Sequence, residues 1–110
     1  MQASSLSTLA DEHLATARGA SSGRSAHTVY GGHDRTLRQT LIALAAGQRL
    51  DEHENPGEAT LHVLAGRVRM ATDGETCDGA AGDLIVVPDA RHTLEALDDA
   101  VVLLTVAKIT

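Results

Sequence analysis

Aromatic side chains are nearly absent from this chain. Its 110 residues include no Phe, no Trp and a single tyrosine, Tyr30. The core must therefore come from Val, Leu, Ile and Ala within an apolar fraction of 43%. A pocket in such a core cannot stack an aromatic ligand, which disfavours cation cages and nucleobase platforms. Cysteine is equally scarce, with Cys77 alone. It can neither close an internal disulfide nor build a thiolate zinc cluster, which fits a reducing, cytoplasmic compartment. Positive charge is thin: the formal charge is −6 and the arginines are scattered. That argues against nucleic acid or an anionic membrane as partner. No apolar run approaches the roughly 20 residues of a membrane span. The N-terminus lacks the basic start and apolar middle of a signal peptide. This length suits one domain with a modest core.

The first 24 residues read as an arm and residues 25–110 as the main body. From Leu6 to Arg18 the spacing is helical, with Leu6, Leu9 and Leu14 on an apolar face beside Ala10 and Ala17. Ser7 or Thr8 is the expected cap, Asp11 and Glu12 suit the first turn, and Gly19 is a natural stop. So short a helix must dock on the domain or on a partner copy. Ala20 to Ser25 reads as a flexible connector. Strands are expected over His27–Tyr30, Leu37–Ala45, Ala59–Leu64, Arg67–Ala71, Thr76–Asp78, Leu84–Val87, His92–Leu97 and Val101–Val106. Asp51 to Gly57 reads as a polar loop, and Asp73-Gly74 is a two-residue hairpin signal. Roughly seven to nine short strands with regular turns indicate an all-β sandwich or barrel. The runs LIVV and VVLLTV are apolar on both faces. Their outer face needs a cover, from the N-terminal segment or from a second subunit, so a homodimer is expected.

Two blocks carry the chemistry. The first is HENPGEATLHVLAG, from His53 to Gly66; the second is GDLIVVPDARHTLEA, from Gly82 to Ala96. Alternation along the strand puts Ala59, Leu61 and Val63 in one apolar row, with Thr60 and His62 opposite. The apolar row is the natural interior, so His62 faces solvent or a subunit contact. His92, Leu94 and Ala96 share a row likewise. His53 and His92 are thus expected to point inward together. The ligand pocket is expected to be lined by His53, Asn55, Ala59, Leu61, His92 and Gln39, the last from the Leu37–Ala45 strand. No residue is assigned a catalytic role.

These blocks resemble the motifs of the cupin superfamily. Motif one of that family runs glycine, five residues, His-x-His, a glutamate, six residues and glycine. This chain has Gly47, five residues, His53-Glu54-Asn55, then Ala59, six residues and Gly66. Motif two runs glycine, five residues, proline and a nearby histidine, matched by Gly82, Pro88 and His92. The resemblance covers roughly Leu37 to Val106. It implies an all-β double-stranded β-helix, the RmlC-like jelly-roll barrel, here with a short N-terminal helical arm. It also implies a dimer and a divalent metal (Zn, Fe, Mn or Ni) held by three histidines and a glutamate. Here the metal motif is degenerate. His53 and His92 occupy two of those positions, Asn55 replaces the second histidine and Ala59 the glutamate. Pro88 to His92 is also one residue shorter than usual. An amide oxygen from Asn55 is a poor ligand for such metals. Glu58 would face away unless the strand bulges there. A cation on His53 and His92, completed by water or substrate, would bind weakly.

The other polar residues have plainer readings. His13, His27 and His33 are expected to be solvated. Arg38, Arg67, Arg69 and Arg91 suit either a solvated face or an acidic substrate. Asn55-Pro56-Gly57 is turn chemistry, and Cys77 has no histidine beside it to activate it. Three functional classes follow, in this order: a small-molecule binding barrel with a weak metal site; a metal-dependent enzyme of the cupin dioxygenase or isomerase kind; and a non-catalytic partner domain working through its dimer surface.

Overall fold

Residues 1–53 and 57–108 are described by the computed structural model of the chain, residues 52 and 53 by their backbone alone. Among the described residues one helix precedes nine strands: α1 (Leu6–Gly19), β1 (Arg24–Tyr30), β2 (Leu37–Leu44), β3 (Arg49–His53), β4 (Glu58–Ala65), β5 (Arg67–Ala71), β6 (Thr76–Ala80), β7 (Leu84–Val86), β8 (His92–Ala96) and β9 (Ala100–Ala107). They form two antiparallel sheets, ordered β1-β2-β9-β4-β7 and β3-β8-β5-β6. This is the jelly roll that the strand pattern and the resemblance predict. Among the described residues no helix is long and apolar enough to cross a membrane.

The core has two compartments because the larger sheet is apolar on both faces. Its inner face meets the smaller sheet. Leu44, Ala59, Leu61, Val63 and Val102 pack there against Val68, Met70, Leu94 and Ala96. Its outer face carries Leu41, Ala43, Val101 and Leu103, covered by Ala10 and Ala17 of α1 with Leu6, Leu9 and Leu14. Ala17 is fully buried. Its methyl lets the helix lie close to the sheet, and the sheet supplies the tertiary support a 14-residue helix needs. The segment expected to cover the VVLLTV run thus does so from within the same chain.

Several local expectations are corrected. The cap of α1 is Ser5, whose hydroxyl accepts from the Thr8 N–H at 3.3 Å. Ser7 and Thr8 lie inside the helix, and the first turn holds no acidic residue. Asp51 does not begin a loop but belongs to β3, pairing with β8. The polar run of Asp51 and its neighbours hid an edge strand, because an edge strand tolerates charge on its exposed face. Strand β1 starts at Arg24, so the last two residues of the expected connector, Arg24 and Ser25, are sheet, while the four before them form the turn. His13 is not simply solvated. Its Nδ1 hydrogen-bonds with the Ser25 hydroxyl at 2.7 Å, and its ring lies 5.3 Å from that of His27. The two histidines join α1 to β1.

Candidate functional site

The topology gathers one end of the barrel from five strands. Strand β2 runs from Leu37 to Leu44, the chain turns at Gly47, and β3 returns to His53. Strand β4 leaves from the same end with Glu58 and Ala59. Strand β8 begins there with His92, and β9 finishes there at Ala107. The register fixes the neighbours. Within the larger sheet Arg38 pairs with Val106, and Val106 pairs with Ala59. The Val87 N–H then donates to the Ala59 carbonyl at 3.0 Å. Within the smaller sheet His53 and His92 are direct partners across β3 and β8.

His92 is the polar group of this end that the structure fixes best. It is 4% exposed, the one buried polar or charged residue among those described. Leu94 and Ala96, in its row, lie in the inner core. Its Nδ1 lies 2.9 Å from the Ala90 carbonyl oxygen. A carbonyl only accepts, so Nδ1 carries a proton and is the donor of this bond. The short Pro88-to-His92 connection brings this carbonyl within reach, two residues before the histidine.

The remaining sequence-derived candidates separate. Ala59 and Leu61 lie on the inner face, buried in the main cluster. His53 stands at the register position opposite His92; its side chain and Asn55 lie outside the described residues. Gln39 is not part of the interior. Its partner Thr105 lies on the outer face, and the Gln39 amide donates to the Thr105 hydroxyl at 3.3 Å. Gln39 lines a hollow there with Leu6, Val29 and Leu103. The inward row of β2 is instead Arg38, Thr40, Ile42 and Leu44: their β9 partners are Val106, Leu104, Val102 and Ala100, all on the inner cluster. His62 is half-buried on the outer face, between Leu84 and Leu103 in register.

The arginines divide the same way. Arg69 grips Asp78 with two bonds, 2.7 and 3.0 Å, and Arg67 reaches Asp98 at 3.1 Å. Both pairs stand on the solvated face of the smaller sheet. The hydrogen bond from Arg69 holds the Asp78 carboxyl below its usual range. Arg38 is half-buried on the inward row, and its guanidinium makes no hydrogen bond or ion pair among the described residues.

A separate cleft of about 260 Å³ opens between the edge strands β6 and β7, lined by Met70, Cys77, Ile85, Val86 and Pro88 among others. It contains a thiol but no histidine, so nothing there activates the sulfur.

The metal implied by the resemblance can be tested on the donors. The carboxylate position is Ala59, buried among aliphatic groups. Glu58 does not substitute, because β4 keeps regular register through Glu58–Val63 and leaves Glu58 exposed. The bulge in β4 comes later, between Val63 and Ala65. Among the described residues no cluster of three His, Cys, Asp or Glu could hold an ion. The donors do not fit the three-histidine, one-glutamate set.

Comparison with known proteins agrees with this architecture. Residues 40–107 match the Cupin domain family. A Streptococcus pyogenes protein of unknown function is 31% identical, with a TM-score of 0.71, covering 79% of this chain and 75% of that one. An RmlC-like cupin from Desulfovibrio desulfuricans is 26% identical at a TM-score of 0.67, covering 77% and 82%. KdgF from Halomonas, at 20% identity, shares the fold at a TM-score of 0.66, covering 79% and 82%. No curated protein matches.

Proposed function

We infer a binding role for this chain, which belongs to the cupin family by its match over residues 40–107 and its 31% identity to a solved relative. The proposed role is to hold a small, non-aromatic molecule at the barrel end where His92 and His53 pair. The observation that carries it is the buried His92 imidazole, set among aliphatic neighbours with its Nδ1 held by the Ala90 carbonyl. A buried imidazole at the motif-two position, with aliphatic neighbours in its row, is the polar anchor this end of the barrel supplies for a bound molecule. A divalent ion on His53 and His92 alone is the subordinate reading, because among the described residues no acidic cluster joins them to neutralise it. No reaction step is assigned to it.

The test is NMR of the His92 imidazole during titration with small aliphatic alcohols, amides and acids, and separately with Zn²⁺. Shifts of the His92 resonances on titration, with calorimetric binding lost in His92→Ala while the fold persists, support the reading. Ligands that perturb only the outer faces refute it.

We also propose that two copies associate through the β4–β7 half of the outer face. Leu84 and Val86 are 62% and 74% exposed there, beside Thr60 and His62.

A further inference from the structure

We propose that the barrel mouth recognises a small aliphatic carboxylate, with Arg38 as its charge partner. The inference rests on the binding role above and names the class of ligand. It starts from a reversal of charge. At the position where the resemblance calls for a glutamate, Ala59 supplies only a methyl group. In the same row of the same sheet, two strands away through Val106, stands Arg38. Neighbouring strands are about 4.8 Å apart, so this distance is roughly 10 Å across the sheet. An arginine side chain and one bound carboxylate can span it. The end that would need an anion to hold a metal has instead lost a carboxylate and carries a guanidinium.

The placement of Arg38 follows from register. Strand β2 pairs with β9 without a shift from Leu37 to Leu44. Arg38 therefore shares a face with its partner Val106, which packs on the inner core. The inward rows of β4, β8 and β9 offer this guanidinium no acidic partner. They hold Ala59, Leu61 and Val63; His92, Leu94 and Ala96; and Ala100, Val102, Leu104 and Val106. On β2 itself the row continues with Thr40, Ile42 and Leu44. Glu58 is exposed on the opposite face, and Asp89 is exposed in the loop before His92. Arg67 and Arg69 are engaged by Asp98 and Asp78, and Arg18 by Asp99. Arg38 makes no such pair among the described residues, though it is half-buried.

A half-buried guanidinium without a counter-ion is an unfavourable arrangement that a ligand can relieve. Its planar fork matches a carboxylate by two parallel hydrogen bonds. Its register partner Val106 and the next inward residue of β9, Leu104, are aliphatic, which suits a short hydrocarbon tail rather than a ring. The net charge of −6 opposes general anion binding. A positive group set back among aliphatic walls is how such a chain can still select one.

The probe is butyrate, with butyramide as its neutral counterpart of the same shape, titrated at constant ionic strength. Binding is followed through the His92 imidazole and the Arg38 guanidinium resonances. Butyrate should bind at least tenfold more tightly than butyramide. Arg38→Gln should lose that preference, and Arg38→Lys should restore part of it. Thermal melts of both variants check the fold. If butyrate and butyramide perturb His92 equally, or Arg38→Gln binds butyrate as wild type does, the carboxylate proposal is overturned and the binding role survives. If neither compound moves the His92 signals, both are overturned.

Discussion

Ala59 is the residue on which the chemistry of this barrel turns. It sits on the inner face of β4 in regular register, so a longer side chain there would project into the barrel end that holds His92. Ala59→Glu would add the anionic oxygen donor that the histidines lack. Zn²⁺ affinity should rise at least about tenfold, about 1.4 kcal/mol, measured by calorimetry against wild type. The same change should lower thermal stability in the absence of metal, since a carboxyl group replaces a buried methyl. An unchanged affinity would mean that the two histidines do not converge on the space beside residue 59. The row containing Ala59, Leu61 and Val63 was legible because its opposite face on β4 is polar. Gln39 was not legible for the opposite reason. In β2 the stretch Leu41-Ile42-Ala43-Leu44 is apolar at both parities, because helix α1 covers one face and the barrel interior the other. Alternation gives no direction in such a strand. Only pairing with β9 shows that Arg38 and Thr40, and not Gln39, face inward.

Among the elements, the turns are better specified than the strands they join. The glycines at both ends of motif one and at the start of motif two, Gly47, Gly66 and Gly82, all have positive φ. Their spacing is readable because only glycine adopts that conformation at little cost. Gly66 has a second constraint. A Cβ there would lie 2.1 Å from the Asp99 carbonyl oxygen, whereas one on Gly82 meets nothing within 4 Å. Gly82→Ala should therefore cost roughly 1–2 kcal/mol. Gly66→Ala should cost more, about 3 kcal/mol or above, because the backbone of the turn before β9 must move. Urea unfolding of the two variants compares them directly. Asp99 ties this turn to two others. Its carboxylate accepts from the Ala46 N–H at 2.8 Å and from Arg18 at the end of α1 at 2.6 Å. The first bond more than the second holds the Asp99 carboxyl below its ordinary range. A value depressed in the folded state means stabilisation that is complete above the unfolded value of about 3.9 and fades as pH falls through the folded one. Thermal stability should thus decline from about pH 5 downward. Asp99→Asn should start lower at neutral pH and decline less steeply. Identical slopes for the two proteins would show that this staple does not couple the helix to the barrel. Nothing in the local sequence announces it, since Asp98-Asp99 reads as an ordinary turn and Arg18 lies far away along the chain.

At the scale of the molecule, the larger sheet is the organising layer, and only part of its outer face is covered. The jelly roll itself was readable from short strands and turn spacing. The helix that would shield the VVLLTV run was readable from its leucines. How far that shield reaches was not, because it depends on where α1 crosses the sheet. The helix lies mainly on β1 and β2 and reaches β9 and the Leu64–Ala65 end of β4. The LIVV run of β7 keeps Ile85 and Val87 inside and leaves Leu84 and Val86 in solvent. Next to them in register lie His62 and Thr60. A strip without Asp, Glu, Lys or Arg on a chain of charge −6 suits a second copy related by a two-fold axis, since the strip then meets itself and brings no carboxylates together. Wild type should sediment as a dimer, and Leu84→Lys combined with Val86→Lys as a monomer with the melting temperature of the barrel little changed, because neither side chain is in the core. A stable interface needs about 800 Å² per partner, more than two side chains provide, so the contact must extend over His62 and Thr60. Thr60→Arg should therefore weaken the dimer as well. A dimer that survives all three substitutions would place the two-fold elsewhere and leave β7 an ordinary exposed strand.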